Sequence, residues 1–270
     1  MFYGAKNSSV NIGDTTMDYI TFGKGDEILV ILPGLGDGLK TVKGMAITFA
    51  LMYRKLAKKY KVYVFSRKNV LENACSTKTM SDDLKQAFDE IGIKRAYLLG
   101  VSMGGMIAQH FACDYPERVI KVALTVTAAR TNEFIKSSVN SWIEMANKGD
   151  HKSLMIDNVE KIYTERYIRK KHYRMVYPFV SHISKPKSYE RFILQAKACI
   201  SHDAFDKLKE LSCPTLVFAG GQDRIIGTDA SVEPSTLIKN ASLILHEELG
   251  HGLYEESKTF FDDIISFFNK

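Results

Sequence analysis

The chain has 270 residues, of which 45% are hydrophobic and 11% aromatic, and a formal net charge of +6 at pH 7. A chain of this length and composition buries a sizeable core, which excludes collagen-like, coiled-coil and intrinsically disordered proteins. Its apolar stretch at residues 28–33 is far shorter than the roughly 20 residues that cross a bilayer, so the sequence predicts no membrane insertion.

From residue 15 onward, strand-like runs alternate with helical runs, which is typical of a mostly parallel sheet covered by helices on both faces. A turn at residues 23–26 separates the runs 17–22 and 27–32 and predicts an early antiparallel hairpin. Further strands are predicted at 61–66, 95–101, 119–127, 214–219 and 241–246. Helices are predicted at 48–59, 81–91, 103–114 and 254–268, with Ser81 as the cap of the second.

Residues 129–213 show helical periodicity and no strand pattern. Helices are predicted at 133–147, 151–162, 165–177 and 189–200, with Asp150, Thr164 and Ser188 as caps of the last three. Residues 130–200 hold 14 Lys or Arg against 7 Asp or Glu, so the basic character of the chain lies there. We interpret residues 130–200 as a helical lid (cap) inserted after strand six of one core, which comprises residues 1–129 and 201–270.

Two sequence features bear on the compartment. Residues 1–13 have neither the apolar region nor the cleavage site of a signal peptide, so we expect a cytoplasmic protein. The four cysteines follow no CxxC or metal-ligand spacing, and a chain of this size does not depend on disulfides, so we expect buried or idle thiols. These cysteines are Cys75, Cys113, Cys199 and Cys213.

The sharpest motif is Gly100-Val101-Ser102-Met103-Gly104, which lies between an apolar strand and a helix. A nucleophilic serine on a tight strand-to-helix turn needs small residues two positions before and after it, and Gly100 and Gly104 are such residues. The turn brings the hydroxyl to the carboxyl end of the sheet, at a helix N-terminus whose free N–H groups favour negative charge.

A serine hydroxyl needs a base, and the base needs a group that holds its tautomer. Asp223 follows the strand at 214–219 in a glycine-rich loop, and His251 follows the last strand. The chain order Ser, Asp, His is that of one type of catalytic triad. A turn aspartate and a surface histidine are the alternative interpretations of Asp223 and His251.

Together these motifs resemble the α/β-hydrolase superfamily, over most of the chain outside the lid. The further matching segments are 33–36 (the oxyanion loop), 115–119 after the elbow helix, 221–224 (the acid loop) and 250–251 (the histidine loop). The resemblance implies an eight-stranded, mostly parallel sheet. It also implies Ser102 as nucleophile, His251 as general base and acid, Asp223 as orienting carboxylate, and the N–H groups of Leu35 and Met103 as an oxyanion hole. Pro33 stands where many members have histidine.

The serine also favours one chemistry within this family. Dehalogenases and epoxide hydrolases of this fold use an aspartate nucleophile, so the resemblance disfavours those activities. We expect a carboxylesterase-like serine hydrolase that acts on a small acyl substrate without a metal or organic cofactor. Two alternatives stay open: a ligand receptor that keeps the triad but turns over little, and a hydrolase or lyase that cleaves a C–C bond. The sequence leaves the oligomeric state open.

Several other patterns have simpler interpretations. The segment 246–251 is not a zinc-binding HExxH motif, because its histidines are five residues apart, and residues 34–38 lack the third glycine of a dinucleotide fingerprint. No motif indicates nucleic-acid binding.

Gly34, Arg67 and Trp142 are candidate pocket residues, although Arg67 also fits a surface salt bridge. We expect His110 to be a packed helix residue. The cluster 169–171 fits an anion-binding surface or a solvated face. Most lid aromatics are expected in its core: Trp142, Tyr163, Tyr167, Tyr173, Tyr177 and Phe179.

Overall fold

The computed structural model describes residues 2–180, 182 and 185–270. Its centre is an eight-stranded sheet in the order β1-β2-β4-β3-β5-β6-β7-β8. The strands are β1 (Lys6–Ile12), β2 (Thr15–Phe22), β3 (Ile28–Leu32), β4 (Lys61–Lys68), β5 (Ala96–Val101), β6 (Val119–Thr125), β7 (Thr215–Gly220) and β8 (Ala241–His246). β1–β2 and β2–β4 pair antiparallel and all other neighbours pair parallel. The predicted α/β fold class is confirmed.

The helices cover both faces of the sheet. They are α1 (Ala46–Met52), α2 (Arg54–Ala57), α3 (Thr77–Ile91), α4 (Met103–Asp114), α5 (Glu133–Asn147), α6 (His151–Ile162), α7 (Glu165–Lys170), α8 (Tyr173–Val180), α9 (Glu190–Ile200), α10 (Thr228–Leu237), α11 (Leu253–Glu256) and α12 (Phe260–Asn269). Every residue of β5 and β7 is buried, because helices shield both faces of these central strands. Among the described residues, no helix is both long and apolar enough to cross a membrane.

The predicted hairpin between residues 17–22 and 27–32 is wrong. β2 pairs with β1 and β4, whereas β3 lies between β4 and β5. The glycine-rich turn is therefore a crossover, and Gly25 allows it to pass close to the turn between α2 and β4, since a Cβ there would lie 1.9 Å from the carbonyl oxygen of Lys59. The polar strand β1, which occupies the edge of the sheet, was not predicted, because half-exposed strands carry little apolar pattern.

Several helix boundaries also differ from the prediction. α3 begins at Thr77, where Ser76 and Thr79 form a reciprocal capping box, and the expected cap Ser81 is buried inside the helix. The helices predicted at 48–59, 165–177 and 254–268 are each two shorter helices, since the chain turns at 53, at 171–172 and at 257–259. Turns of this kind reflect packing against neighbouring elements rather than local sequence preference.

The inserted segment, residues 130–200, contributes helices α5–α9 between β6 and β7. Asp150 and Thr164 cap α6 and α7 as predicted. The N-cap of α9 is Tyr189 and not the predicted Ser188, because the helix begins one residue later than expected; the Ser188 hydroxyl still accepts a hydrogen bond from the N–H of Glu190. The segment enters and leaves the sheet side by side, because residues 129–131 hydrogen-bond to residues 202–204 and a bridge joins Arg130 to Asp203.

Candidate active site

Ser102 lies at the tip of a sharp turn between β5 and α4. Its backbone has φ +55° and ψ −121°, a region that L residues rarely adopt and that is seen where a side chain must be held outward. The N–H of Ser102 donates to the carbonyl oxygen of Thr125 at 2.9 Å, and its own carbonyl oxygen accepts from Gly105 and Met106. The serine is thus fixed at the carboxyl edge of the sheet.

The flanking glycines are required by close backbone approaches. A Cβ on Gly104 would lie 1.9 Å from the carbonyl oxygen of Leu32, and one on Gly100 would lie 2.6 Å from the Cα of Gly105. Neither approach leaves room for a methyl group, so any larger residue would push α4 away from the sheet. The glycines therefore set the position of Ser102.

Asp223 and His251 form a buried hydrogen-bonded pair. Nδ1 of His251 lies 2.8 Å from Oδ2 of Asp223, and both residues are 5% exposed. The other carboxylate oxygen of Asp223 accepts from the N–H groups of Ile225 and Ile226, both at 2.9 Å. Because the carboxylate engages Nδ1, Nε2 is the nitrogen left to exchange a proton with another group.

The loops that carry this pair pack backbone against backbone. The N–H of Gln222 donates to the carbonyl oxygen of Leu249 at 2.8 Å, and a Cβ on Gly221 would lie 2.4 Å from the carbonyl oxygen of Glu247. A Cβ on Gly220 would meet the carbonyl oxygen of Gly250 at 2.6 Å. The glycines after β7 and β8 thus allow Asp223 and His251 to meet.

The loop after β3 lies beside the serine. A Cβ on Gly34 would be 3.8 Å from the Ser102 hydroxyl oxygen, and the next residues form a short 3₁₀ helix, Leu35–Gly38. No described group accepts a hydrogen bond from the N–H of Leu35 or of Met103. Both donors belong to first turns of helices, where N–H groups lack a partner within the helix.

Ser102 and His251 line one cavity of about 300 Å³. Its wall is mostly apolar and comes from loops at the carboxyl edge of the sheet, from α1, from α11 and from the inserted segment: Val42, Met45, Phe49, Trp142, Ile162, Ile225 and Tyr254. Among the described residues, no hydrogen bond joins the Ser102 hydroxyl to His251, and such contacts are often long before a substrate binds. The cavity is large enough for a small organic molecule.

Behind the loop 33–38, the buried Asp37 carboxylate is paired with the Arg191 guanidinium. Asp37 accepts from Arg191 at 2.6 Å and from the N–H of Arg67 at 3.1 Å, while the Arg67 side chain donates to the carbonyl oxygen of Pro33. Burial alone would raise the pKa of the Asp37 carboxyl, but the charges of Arg191 and Arg67 outweigh it and hold the pKa below its usual range. Burial lowers the pKa of Arg67 to about 10.

Two of the three candidate pocket residues face the cavity, and the third does not. Gly34 and Trp142 line it, and the Trp142 ring is held by a hydrogen bond from Nε1 to Asp157 at 2.7 Å. Arg67 does not line the cavity and is 3% exposed, so it is neither open to a substrate carboxylate nor part of a surface salt bridge. It lies behind the loop because β4 carries it into the core.

The remaining predictions have mixed outcomes. His110 is buried on α4 as expected, and all four cysteines are free, Cys199 and Cys213 being buried.

Three tyrosines of the inserted segment pack on one another, but Phe179 is 68% exposed and does not belong to a core. In the cluster 169–171, Arg169 pairs with Glu165 at 2.6 Å, which favours a solvated helix face. No cluster of potential metal ligands occurs in the described part of the chain.

Several residues near the site were not predicted from the sequence. Asp37 and Arg191 are 154 positions apart, so no local pattern joins them, although an acidic residue inside the glycine-rich segment 34–38 was a visible signal. Lys40, Asn158 and Tyr254 also line the cavity. They come from a loop, from α6 and from α11, and only the packing of those elements brings them together.

The fold and the four loops at the carboxyl edge of the sheet define an α/β hydrolase. The family model for the alpha/beta hydrolase fold matches residues 27–258, and the chain belongs to this family. The resemblance inferred from the sequence motifs is thereby confirmed, and the chain is a hydrolase.

Similar proteins span almost the whole chain. One is a putative carbamate hydrolase RutD of Caulobacter vibrioides, 20% identical over 90% of both chains. Another is a 2-hydroxy-6-oxononadienedioate/2-hydroxy-6-oxononatrienedioate hydrolase of Pseudomonas sp., 23% identical over 97% of this chain and 92% of the other. A solved structure, the α/β hydrolase enzyme MGS-M2 from a Medee basin deep-sea metagenome library, superposes with a TM-score of 0.84 at 20% identity and covers 97% of this chain and 98% of the other.

Proposed function

We propose that this protein is a serine hydrolase that cleaves a small ester or related acyl compound through an acyl-enzyme intermediate. The observation that carries the proposal is the buried 2.8 Å hydrogen bond between Asp223 and His251, with His251 and Ser102 on the wall of one cavity. A serine, a histidine and a carboxylate in this arrangement convert a weak alcohol nucleophile into a reactive one.

The proposed reaction has two halves. Ser102 Oγ attacks the substrate carbonyl carbon while Nε2 of His251 accepts the hydroxyl proton, and the N–H groups of Leu35 and Met103 stabilise the oxyanion. Collapse breaks the bond to the leaving group, to which His251 returns the proton. A water molecule then attacks the acyl-enzyme with His251 again as base, which releases the acid and restores Ser102. The Asp223 carboxylate holds the His251 ring through Nδ1 and stabilises the imidazolium that forms.

We further propose that the inserted segment acts as a lid. Trp142, Asn158 and Ile162 of this segment form part of the cavity wall, so the position of α5 and α6 would set which acyl groups fit. The apolar wall and the volume of about 300 Å³ favour a short or medium acyl chain. The proposed reaction uses protein groups and water.

Steady-state hydrolysis of a p-nitrophenyl ester series from acetyl to octanoyl tests the proposal. By analogy with other serine triads, Ser102→Ala is expected to lower kcat by about 10⁶-fold and Asp223→Asn by about 10⁴-fold. Asp229→Asn, an exposed carboxylate on α10, is the matched control and retains activity. Unchanged hydrolysis in Ser102→Ala contradicts the proposal.

A second candidate function is the hydrolysis of a carbon–carbon bond. The oxononadienedioate named for the Pseudomonas relative has ketone and carboxylate groups and no ester, so a hydrolase acting on it must break a C–C bond. Product analysis separates the two candidates, because C–C cleavage leaves a new C–H bond where ester cleavage releases an alcohol. Stoichiometric labelling of Ser102 by a fluorophosphonate without turnover of any acyl or keto substrate would instead favour a receptor.

A further inference from the structure

Arg191 joins the inserted segment to the loop that holds the expected oxyanion donor Leu35. It lies in the first turn of α9, and its guanidinium makes four hydrogen bonds, all to elements of the core. The acceptors are the Asp37 carboxylate at 2.6 Å, the Asp37 carbonyl oxygen, and the carbonyl oxygens of Arg67 and Lys68, both at 3.0 Å. One side chain thus fixes the loop and the end of β4 at once.

The contact is tight and buried. A Cβ on Gly38 would lie 2.8 Å from the Cα of Phe192, so the loop backbone touches the α9 backbone one residue beyond Arg191. The Asp37 side chain is fully enclosed and that of Arg191 is 16% exposed. Charge-assisted hydrogen bonds of this geometry are short and directional, and their loss leaves a buried carboxylate partly unpaired.

Arg67 holds the same loop by two further hydrogen bonds. Its guanidinium donates to the carbonyl oxygen of Pro33, the residue before Gly34, and its backbone N–H donates to Asp37. The loop is therefore held by hydrogen bonds at Pro33 and at Asp37, and Leu35 lies between these two residues in the sequence. None of the three charged side chains touches Ser102 or His251 by hydrogen bond.

We propose that Arg191 is a positioning residue that acts through Asp37 to hold the N–H of Leu35 in place for the developing oxyanion, so that the inserted segment contributes to catalysis as well as to the pocket wall. This inference rests on the proposed function. Loss of one oxyanion donor costs about 10²–10³-fold in kcat, and a displaced donor is expected to cost less, about 10–100-fold.

The test compares Arg191→Gln, Arg191→Lys and Asp37→Asn with Arg174→Gln. Arg174 is the matched control, since it also forms ion pairs within the inserted segment, with Glu160 and Glu165, but on the surface. Fluorophosphonate titration counts the intact sites in each preparation, so kcat is expressed per site and a loss of folded protein cannot imitate slower chemistry.

For p-nitrophenyl acetate, we expect Arg191→Gln and Asp37→Asn to lower kcat per site about 10–100-fold, with KM within about threefold of wild type. Arg191→Lys keeps the charge without the planar fork and is expected to recover part of kcat. Affinity for a trifluoromethyl ketone, whose adduct with Ser102 carries an oxyanion, is expected to fall in parallel with kcat. Arg174→Gln is expected to match wild type in all three measurements.

A kcat per site within twofold of the Arg174→Gln control in both Arg191→Gln and Asp37→Asn overturns the inference, as does an increase in KM with kcat unchanged. In that case the proposed function still stands if Ser102→Ala abolishes hydrolysis. Persistence of hydrolysis in Ser102→Ala instead removes the proposed function, and the positioning role with it.

Discussion

The N–H of Gly252 donates to the carbonyl oxygen of Ile162 at 2.7 Å, so the residue next to His251 is hydrogen-bonded to the end of α6 in the inserted segment. Two side-chain hydrogen bonds connect the same regions: the Tyr163 hydroxyl donates to Glu255 at 2.9 Å, and the Thr164 hydroxyl donates to Glu256 at 2.6 Å. The inserted segment therefore touches both the histidine loop and, through Arg191, the loop after β3.

Gly252→Ala tests how closely the histidine loop depends on its contact with the inserted segment. The glycine has φ −81°, which alanine adopts readily, but a Cβ would lie 2.6 Å from the Tyr163 ring. We expect a loss of about 1–3 kcal/mol in unfolding free energy, as for other overpacked sites, and about a tenfold lower kcat as His251 shifts. Urea denaturation and ester hydrolysis measure the two effects.

A double variant tests whether the effect of Gly252→Ala comes from a steric clash with Tyr163. Tyr163→Ala removes the ring that the new methyl group would strike, so the double variant is expected to be more active than the product of the two single effects. Additive losses would show that Gly252 matters for a reason other than the contact with Tyr163.

Ser102→Gly and Ser102→Ala are expected to differ in stability although both lack the nucleophile. The backbone at residue 102 has φ +55°, where a Cβ is strained and glycine is not. We expect Ser102→Gly to be more stable than Ser102→Ala by about 1–3 kcal/mol in chemical denaturation. Gly149→Ala provides the reverse comparison: φ is +68° with no atom within 4 Å, so a modest loss of stability with full activity is expected. Equal stability of the two Ser102 variants would contradict a strained turn.

Trp142→Ala is expected to change which acyl chains are accepted. Its ring is 3% exposed and forms part of the cavity wall, so its removal enlarges the site. The octanoate-to-butyrate ratio of kcat/KM for p-nitrophenyl esters is expected to rise at least about tenfold, since each added methylene that gains a contact is worth about 1–3 kcal/mol. Phe134→Ala on the same helix, where the ring is 58% exposed, is the control and keeps the wild-type ratio. A similar ratio in Trp142→Ala would remove this residue from the acyl pocket.

Much of the site could be predicted from the sequence because its residues lie in short motifs with local causes. Ser102 needs glycines two positions away, and Asp223 and His251 each lie in the loop after a predicted strand, so pattern and chain order together single them out. Asp37 and Arg191 could not be found in this way. Their contact depends on how α9 packs against the sheet, and no periodicity reports it. The predicted hairpin between residues 17–22 and 27–32 failed for the same reason, since strand order is a tertiary property and β2 pairs with β4 instead.

Acid stability is expected to depend on a buried histidine behind α4. Burial, with a smaller contribution from His110, lowers the pKa of His202 from 6.5 to about 3, and its ring contacts Thr77 and Gln109. Between about pH 6.5 and 3 the unfolded chain binds a proton that the folded chain does not. The free energy of unfolding therefore decreases as the pH is lowered, by up to about 1.4 kcal/mol per pH unit for this group.

Urea denaturation from pH 7 to pH 4 measures this dependence. His202→Gln retains a hydrogen-bonding side chain that does not titrate, so its unfolding free energy is expected to depend less steeply on pH than that of wild type. His172→Asn, at an exposed position, is the matched control and keeps the wild-type slope. Parallel slopes in wild type and His202→Gln would show that His202 is not responsible.

Rapid acid quenching of the protein with p-nitrophenyl acetate, followed by mass spectrometry of its peptides, tests whether Ser102 forms a covalent acyl intermediate. We expect one acetyl group on the peptide that contains Ser102, formed within the first turnover, and none in Ser102→Ala. Turnover of the wild-type protein without acetylation of Ser102, or acetylation of another residue in Ser102→Ala at the wild-type rate, would show that Ser102 is not the nucleophile.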